Sequence, residues 1–357
     1  MLIDGIHKKA IESSSDSKVI IIDQTLLPHK LKYITLKNIE DCVKAIKDMW
    51  VRGAPLIGVT ASYGMFFAVK DNSSELNIRK AYDSLISTRP TAVDLKWALE
   101  RILNNILKLK EKDRTNYLWN FCKELESNSI NQCSKIGDYG FEIIKSKFIK
   151  GKTFNILTHC NAGWLACVDW GTALAPIYKA YNAGLDIHVW VDETRPRSQG
   201  AALTAWELSK HGVPNTLIVD NAGGHLMQSG KVDMCIVGSD RTASNGDVCN
   251  KIGTYMKALC AFDNNIPFYV ALPESTIDFS LESGVNKINI EERDNKEVTH
   301  VSGLNSSGAL TTVKIVSDMV SSHNPGFDVT PARLVTRLIT DKGVCEASSE
   351  GIKSLFR

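Results

Sequence analysis

The sequence contains no CxxC pair, no HExxH segment, no GxGxxG and no GxxxxGK[ST] loop. The first two absences remove the spacings by which structural zinc sites and zinc hydrolases are read. The last two remove the glycine loops that cradle a dinucleotide or a nucleoside triphosphate. Carboxylates do not cluster as they would around two metal ions. Neither a nicotinamide cofactor nor a catalytic metal is therefore expected. Nine cysteines, an odd number without paired spacing, argue against a disulfide framework and fit small buried apolar groups. Charge of one sign is also lacking: 42 Lys and Arg against 40 Asp and Glu leave a net charge of +2. A dedicated nucleic-acid binder shows a basic face, so none is expected here, although a local pocket for a phosphate is compatible with this balance. The longest uncharged apolar run, Ala54 to Val69, has 16 residues, short of the roughly 18 that suggest a membrane span. It reads as a buried helix. The first 18 residues lack an apolar signal core, and the expected location is the cytoplasm.

What is present is 357 residues, enough for two domains, in an ordinary globular mix with 43% hydrophobic and 23% charged residues. "KVIIIDQTLLPHKLKYITL" reads as a hairpin near the N-terminus, followed by segments with helical spacing such as "IEDCVKAIKDMW", "LKWALERILNNILKL" and "NYLWNFCKELE". From about residue 150 the pattern changes. "TFNILTH", "DIHVWVDE", "NTLIVD", "DMCIVGSD" and "PFYVALP" read as five continuous apolar strands alternating with helices. That alternation implies an α/β fold: a smaller N-terminal domain of hairpin plus helices, residues 1–130, and a C-terminal Rossmann-like parallel-sheet domain, residues 131–357. The polar residues fall just past the carboxyl ends of the strands, where open α/β sheets bind ligands.

Five stretches carry the candidate chemistry. In "THCNAGW" the strand is expected to pass directly into a helix, with Gly163 in the turn and the helix end lowering the pKa of Cys160. A buried core thiol beside a satisfied His159 is the equal alternative. In "VRGAPLIG", Arg52 with the exposed amides of Gly53 and Ala54 suits an oxyanion. Arg89 in "STRPTAVDL" offers a second guanidinium, or else a surface ion pair. "VDETRPRSQG" gathers Asp192, Glu193, Thr194, Arg195 and Gln199, the last placed to bond a sugar hydroxyl. In "GSDRTASNGDVCNKIGTY", Asp240 at a strand end invites burial and a raised pKa, which would make it a proton donor, or else a helix cap. Lys251, after Asn250, offers charge for a phosphate. Together they fit acid/base chemistry on a phosphorylated polyol.

"VRGAPLIGV", "TRPTAV", "LTHCNAG", "VDETRPRSQG", "LTAWEL", "SDRTASNGDVCNKIGTY" and "FDVTPARLVT" resemble, in order and over nearly the whole chain, the methylthioribose-1-phosphate isomerases. The wider family includes ribose-1,5-bisphosphate isomerases and regulatory subunits of the eukaryotic initiation-factor nucleotide-exchange complex. The resemblance implies Cys160 and Asp240 as the catalytic pair, and Arg52, Gly53, Ala54, Arg89, Gln199, Asn250 and Lys251 as substrate contacts. It further implies a homodimer acting on a sugar phosphate. Asp94, Ala202 and Trp164 depart from the common pattern and are expected to adjust the pocket around the 5-position of the sugar. The alternatives are an isomerase of 5-deoxyribose 1-phosphate or ribose 1,5-bisphosphate, a non-catalytic sensor of sugar phosphates or nucleotides, and a redox-sensing thiol at Cys160.

Overall fold

The computed structural model describes residues 1–89 and 93–356. The N-terminal part opens with a small pair, β1 (Leu2–Ile3) and β2 (Ile6–His7). A three-stranded antiparallel sheet follows, β3 (Ile11–Ser13), β4 (Val19–Ile22) and β5 (Tyr33–Leu36), whose last two strands form the expected hairpin. Five helices come next: α1 (Ile39–Lys47), α2 (Ala54–Asp71), α3 (Glu75–Ile86), α4 (Val93–Ile106) and α5 (Glu111–Lys147). The expected division at residues 130 and 131 falls inside α5. Helix α2 is the long apolar run, and every residue from Leu56 to Val69 is buried. Its two hydroxyls cost little there, because Thr60 donates to the Leu56 carbonyl at 2.8 Å and Ser62 to that of Val59 at 2.7 Å. A helix apolar on all sides belongs at the centre of a bundle, and α2 packs against α1, α3, α4 and α5.

The C-terminal part is built from β6 (Phe154–Thr158), α6 (Ala175–Asn182), β7 (Ile187–Asp192), α7 (Ala205–His211), β8 (Asn215–Ile218), α8 (Ala222–Gln228) and β9 (Met234–Val237). Then come β10 (Arg241–Ala243), β11 (Val248–Lys251), α9 (Thr254–Asp263), β12 (Phe268–Ala271) and β13 (Ile277–Asp278). A short helix α10 (Lys296–Thr299) leads into the hairpin β14 (His300–Leu304) and β15 (Leu310–Lys314). The chain ends with β16 (Phe327–Thr330), β17 (Arg337–Thr340), β18 (Gly343–Cys345) and α11 (Ser349–Phe356). All five expected strands form. They join β17 and β18 in a seven-stranded sheet of order β18-β17-β12-β9-β6-β7-β8, parallel except for the β18 edge. A second sheet, β13-β10-β11-β16, stands beside it. Among the described residues no helix is long and apolar enough to cross a membrane.

The chain runs outward through β6, β7 and β8, then crosses back to lay β9 on the other side of β6 and continues outward to β12 and β17. The topological switch point therefore lies between β6 and β9, where the connections leave in opposite directions and open a crevice.

Candidate active site

Cys160 follows β6 and Asp240 follows β9, so the two candidate catalytic residues come from the two strands that flank the switch point. Both line one cavity of about 1240 Å³, together with Arg52, Gly53, Ala54, Arg89, Gln199 and Lys251. The N-terminal part closes this cavity from above. Arg52, Gly53 and Ala54 enter it from the start of α2, and Arg89 from the segment between α3 and α4.

Cys160 adopts a left-handed backbone, φ +66°, which is costly for a residue with a side chain. Two hydroxyls hold it there. Its N–H donates to Thr194 Oγ1 at 2.8 Å, and its carbonyl accepts from Thr204 Oγ1 at 2.7 Å. The thiol points at Gln199 Oε1, 3.5 Å away. The helix expected directly after it does not form: a 3-10 turn spans Trp164–Ala166 and α6 begins only at Ala175. Without a helix end, burial dominates and pushes the Cys160 thiol up, although Arg52 and Lys251 pull the other way. Gly163 is required by close approach, because a Cβ there would sit 1.3 Å from Glu207 Oε1.

Asp240 is also raised by burial, against the opposing charges of Lys251, Arg52 and Arg89. Its N–H donates to the Cys249 carbonyl at 3.0 Å, which aligns the turn into β10. A carboxyl held toward its neutral form in a cavity is a proton donor. The cationic groups surround it. Arg52 donates through Nη1 to both the carbonyl and Oδ1 of Asn161, at 2.8 and 2.5 Å, and its buried Nε has no partner. Gly53, φ +96°, caps α2 where a Cβ would lie 2.4 Å from the Ala166 carbonyl oxygen. The first turn of this 18-residue helix thus presents its free amides without a capping side chain. Arg89 lies 3.6 Å from Glu291 and keeps an unpartnered Nε; its side chain is on the cavity wall rather than in a surface ion pair. Lys251 Nζ donates to the Gly326 carbonyl at 2.9 Å and sits 4.5 Å above the Phe327 ring, and burial lowers its pKa.

Not every expected contact reaches the cavity. Asn250 precedes Lys251 on β11, so the strand's alternation turns it to the other face, where its amide donates to Thr254 Oγ1 at 3.0 Å. Trp164 is fully buried and stacks near Trp206, and Ala202 packs at the edge of the same core, so neither is on the wall. Of the three departures only Asp94 lines the cavity. In "VDETRPRSQG" most polar groups are structural: Thr194 holds Cys160, Arg195 fastens the carbonyls of Pro196 and Val298, and Asp192 is drawn inward.

A buried layer lies beneath the cavity. His159 Nδ1 meets Asp192 Oδ2 at 2.9 Å and its Nε2 meets the Ile252 carbonyl at 2.8 Å. The His159 ring therefore ties the Cys160 loop to the end of β11. His159, Asp192 and Asp220 bring their ligand atoms within 4.8 Å, a spacing that a cation could use. That place is taken: Lys257 Nζ lies 3.2 Å from Asp192 Oδ2 and donates to the Asp220 carbonyl. On the other side, Glu207 accepts from Asn161 Nδ2 at 3.1 Å and from the Leu165 amide at 3.2 Å. Burial nonetheless lifts its carboxyl to about 8. Glu207 thereby orients Asn161, and Asn161 orients Arg52. The sequence shows Glu207 only as a lone Glu inside "LTAWEL", which helical periodicity alone leaves on no particular face.

Residues 50–347 match the Initiation factor 2 subunit family. A methylthioribose-1-phosphate isomerase of Paramagnetospirillum magneticum is 55% identical over 358 aligned residues, covering all of this chain and 99% of the relative. Among solved structures, the 5-methylthioribose 1-phosphate isomerase of Pyrococcus horikoshii superposes with TM-score 0.85 at 38% identity, over 98% of this chain and 96% of that one. A chain from A. fulgidus described as the delta subunit of translation initiation factor eIF-2B superposes with TM-score 0.81, also at 38% identity, over 98% and 99%.

Proposed function

The chain belongs to the Initiation factor 2 subunit family, and from that premise we propose that it isomerises S-methyl-5-thioribose 1-phosphate to S-methyl-5-thioribulose 1-phosphate, a step of methionine salvage. The observation that carries this reading is the placement of Cys160 and Asp240 on the two strands of the switch point, facing one cavity with Arg52, Arg89 and Lys251. The phosphate on C1 prevents ring opening through a free anomeric hydroxyl. The ring oxygen must take a proton as its bond to C1 breaks, and neutral Asp240 supplies it. Arg52, the amides at the start of α2 and Lys251 hold the phosphate. In the step that follows, hydrogen at C2 moves to C1 with its electron pair, and the C2 hydroxyl returns its proton to the Asp240 carboxylate. A thiol kept protonated by burial fits this hydride route, in which Cys160 shapes the site. A substrate deuterated at C2, turned over in ordinary water, is expected to deliver its label to C1 of the ketose. Loss of the label to solvent would instead make Cys160 the base.

The purified protein, assayed without added metal or nucleotide, is expected to convert methylthioribose 1-phosphate to the ketose, and 5-deoxyribose 1-phosphate alongside it measures what the pocket asks of the 5-position. Binding of both without turnover would move the reading to a sensor. Glu207→Gln places an amide NH2 against one of two donors, Asn161 Nδ2 or Leu165 N–H. The expected outcome is a Tm lower by several degrees, with KM for the sugar phosphate raised through Arg52 and kcat less affected, read by thermal denaturation and steady-state kinetics. A homodimer in the cytoplasm completes this reading. It rests on the resemblance to the isomerases, and light scattering tests the dimer.

A further inference from the structure

We propose that Asp94 is a specificity-determining residue of this site, binding the 3-hydroxyl of the sugar; the inference rests on the isomerase reading above. Asp94 is the second residue of α4, only 3% exposed, and on the cavity wall. Among the described residues neither carboxyl oxygen has a partner in full hydrogen-bond geometry, although the Ser275 hydroxyl lies near enough to favour its charge. A buried polar group without a partner is costly, and native folds keep few of them. Glu207 accepts two donors, Asp192 holds His159 and Lys257, and Asp240 faces the cations. Asp94 brings spare acceptor capacity to the cavity wall. Its backbone is also fixed in place, because Gly58 of α2 leaves only 3.1 Å between an added Cβ and the Asp94 carbonyl oxygen. The carboxyl is thus held in place on the cavity wall, under-satisfied by the described residues.

The chemistry of the ligand follows from what the substrate has left to offer. C1 carries the phosphate, which the cations take. The ring oxygen receives the Asp240 proton, the C2 hydroxyl is consumed, and C5 carries an apolar methylthio group. The 3-hydroxyl remains, a group that both donates and accepts. Around Asp94 the wall carries Arg89, Asp240, Glu274 and Ser275. Burial, with a lesser contribution from the charge of Asp240, raises the Asp94 carboxyl to about 6 while the Ser275 hydroxyl opposes it. Near neutral pH it can therefore bond a hydroxyl in either protonation state.

The experiment compares the wild type, Asp94→Asn and Asp94→Ala on methylthioribose 1-phosphate and on its 3-deoxy analogue, with Tm measured on each protein. The wild type is expected to favour the 3-hydroxy sugar by about tenfold or more in kcat/KM. Asp94→Ala should erase that preference, chiefly through KM, while Tm stays level or rises because an unsatisfied group has been removed. Asp94→Asn, which can still bond a hydroxyl, should keep part of the preference. It should also lose the pH dependence of KM near 6 and gain stability relative to the wild type as pH rises from the ordinary carboxyl range up to about 6, levelling off above it, because the unfolded carboxyl ionises before the folded one. Equal loss on both sugars with a lower Tm would make Asp94 structural and overturn the proposal, as would an unchanged preference in Asp94→Ala. A wild type that turns over neither sugar would overturn the isomerase reading itself.

Discussion

Asp240→Asn is expected to lower kcat by roughly 10²–10⁴-fold, the loss typical of a missing general acid, with no loss of thermal stability. The amide has nearly the same shape, and the contact that aligns the Asp240 turn is made by its backbone N–H to the Cys249 carbonyl. Burial raises the carboxyl, so its ionised form is penalised in the folded state. Removing that charge costs the fold nothing at neutral pH. The sign of the pH dependence follows. Protonated Asp240 is the active form, so kcat/KM falls as pH rises through its raised pKa, and the Asn variant loses that limb. Cys160→Ser keeps both backbone bonds to Thr194 and Thr204 and is expected to fold normally with most turnover lost. The double variant should be hardly worse than the more damaged single, as for groups that serve one step. Both single variants turning over near wild-type rates would remove these residues from the catalytic pair.

The largest stability effect is expected at Asp192. Its carboxyl is fully buried and shares Oδ2 between His159 Nδ1 and the Lys257 ammonium. Asp192→Ala leaves both without that acceptor in a site closed to water. Breaking a buried pair from one side costs about 3–5 kcal/mol, a loss that equilibrium denaturation resolves easily. Added salt should not mimic the change, since the pair is shielded from solvent. Adding Lys257→Met to Asp192→Ala removes the stranded cation and should recover part of the loss, so the two substitutions are non-additive. Activity should suffer as well, because the His159 ring links the Cys160 loop to the end of β11. Full additivity, or a single-variant loss below about 1 kcal/mol, would show that the cluster contributes little.

The Cys160 segment marks the limit of local sequence preference. A strand ending at "THC" was legible because β6 is a continuous apolar run, as strands covered on both faces are. The helix expected immediately after it was not there. "AGWLACVDWGTALAP" holds Gly and Ala at helical spacing, but its first half packs against Glu207 and the start of α2, and tertiary contact replaced the local preference. The resemblance places both Asn250 and Lys251 among the expected substrate contacts. Strand alternation sends them to opposite faces, a consequence visible only once β11 is known to be a strand. β17 leaves no periodic signal because it is only four residues long, Arg337–Thr340.

By itself the sequence determined the local elements and the inventory of the site. The alternation of apolar strands with helices, the buried run of α2, and the polar residues at strand ends are written in short-range periodicity. Cys160, Asp240, Arg52, Arg89, Gln199 and Lys251 stand out as candidates through their motifs and the resemblance those motifs carry, not through periodicity. Only the tertiary structure decided how these meet. The order β9-β6-β7 makes the switch point that sets Asp240 opposite Cys160, and strand order depends on pairings between segments about 80 residues apart. Burial decided the direction in which both groups shift, lifting a thiol that a helix end would have lowered. Desolvation is a property of the closed fold, summed over neighbours from every part of the chain, and no window of sequence contains it.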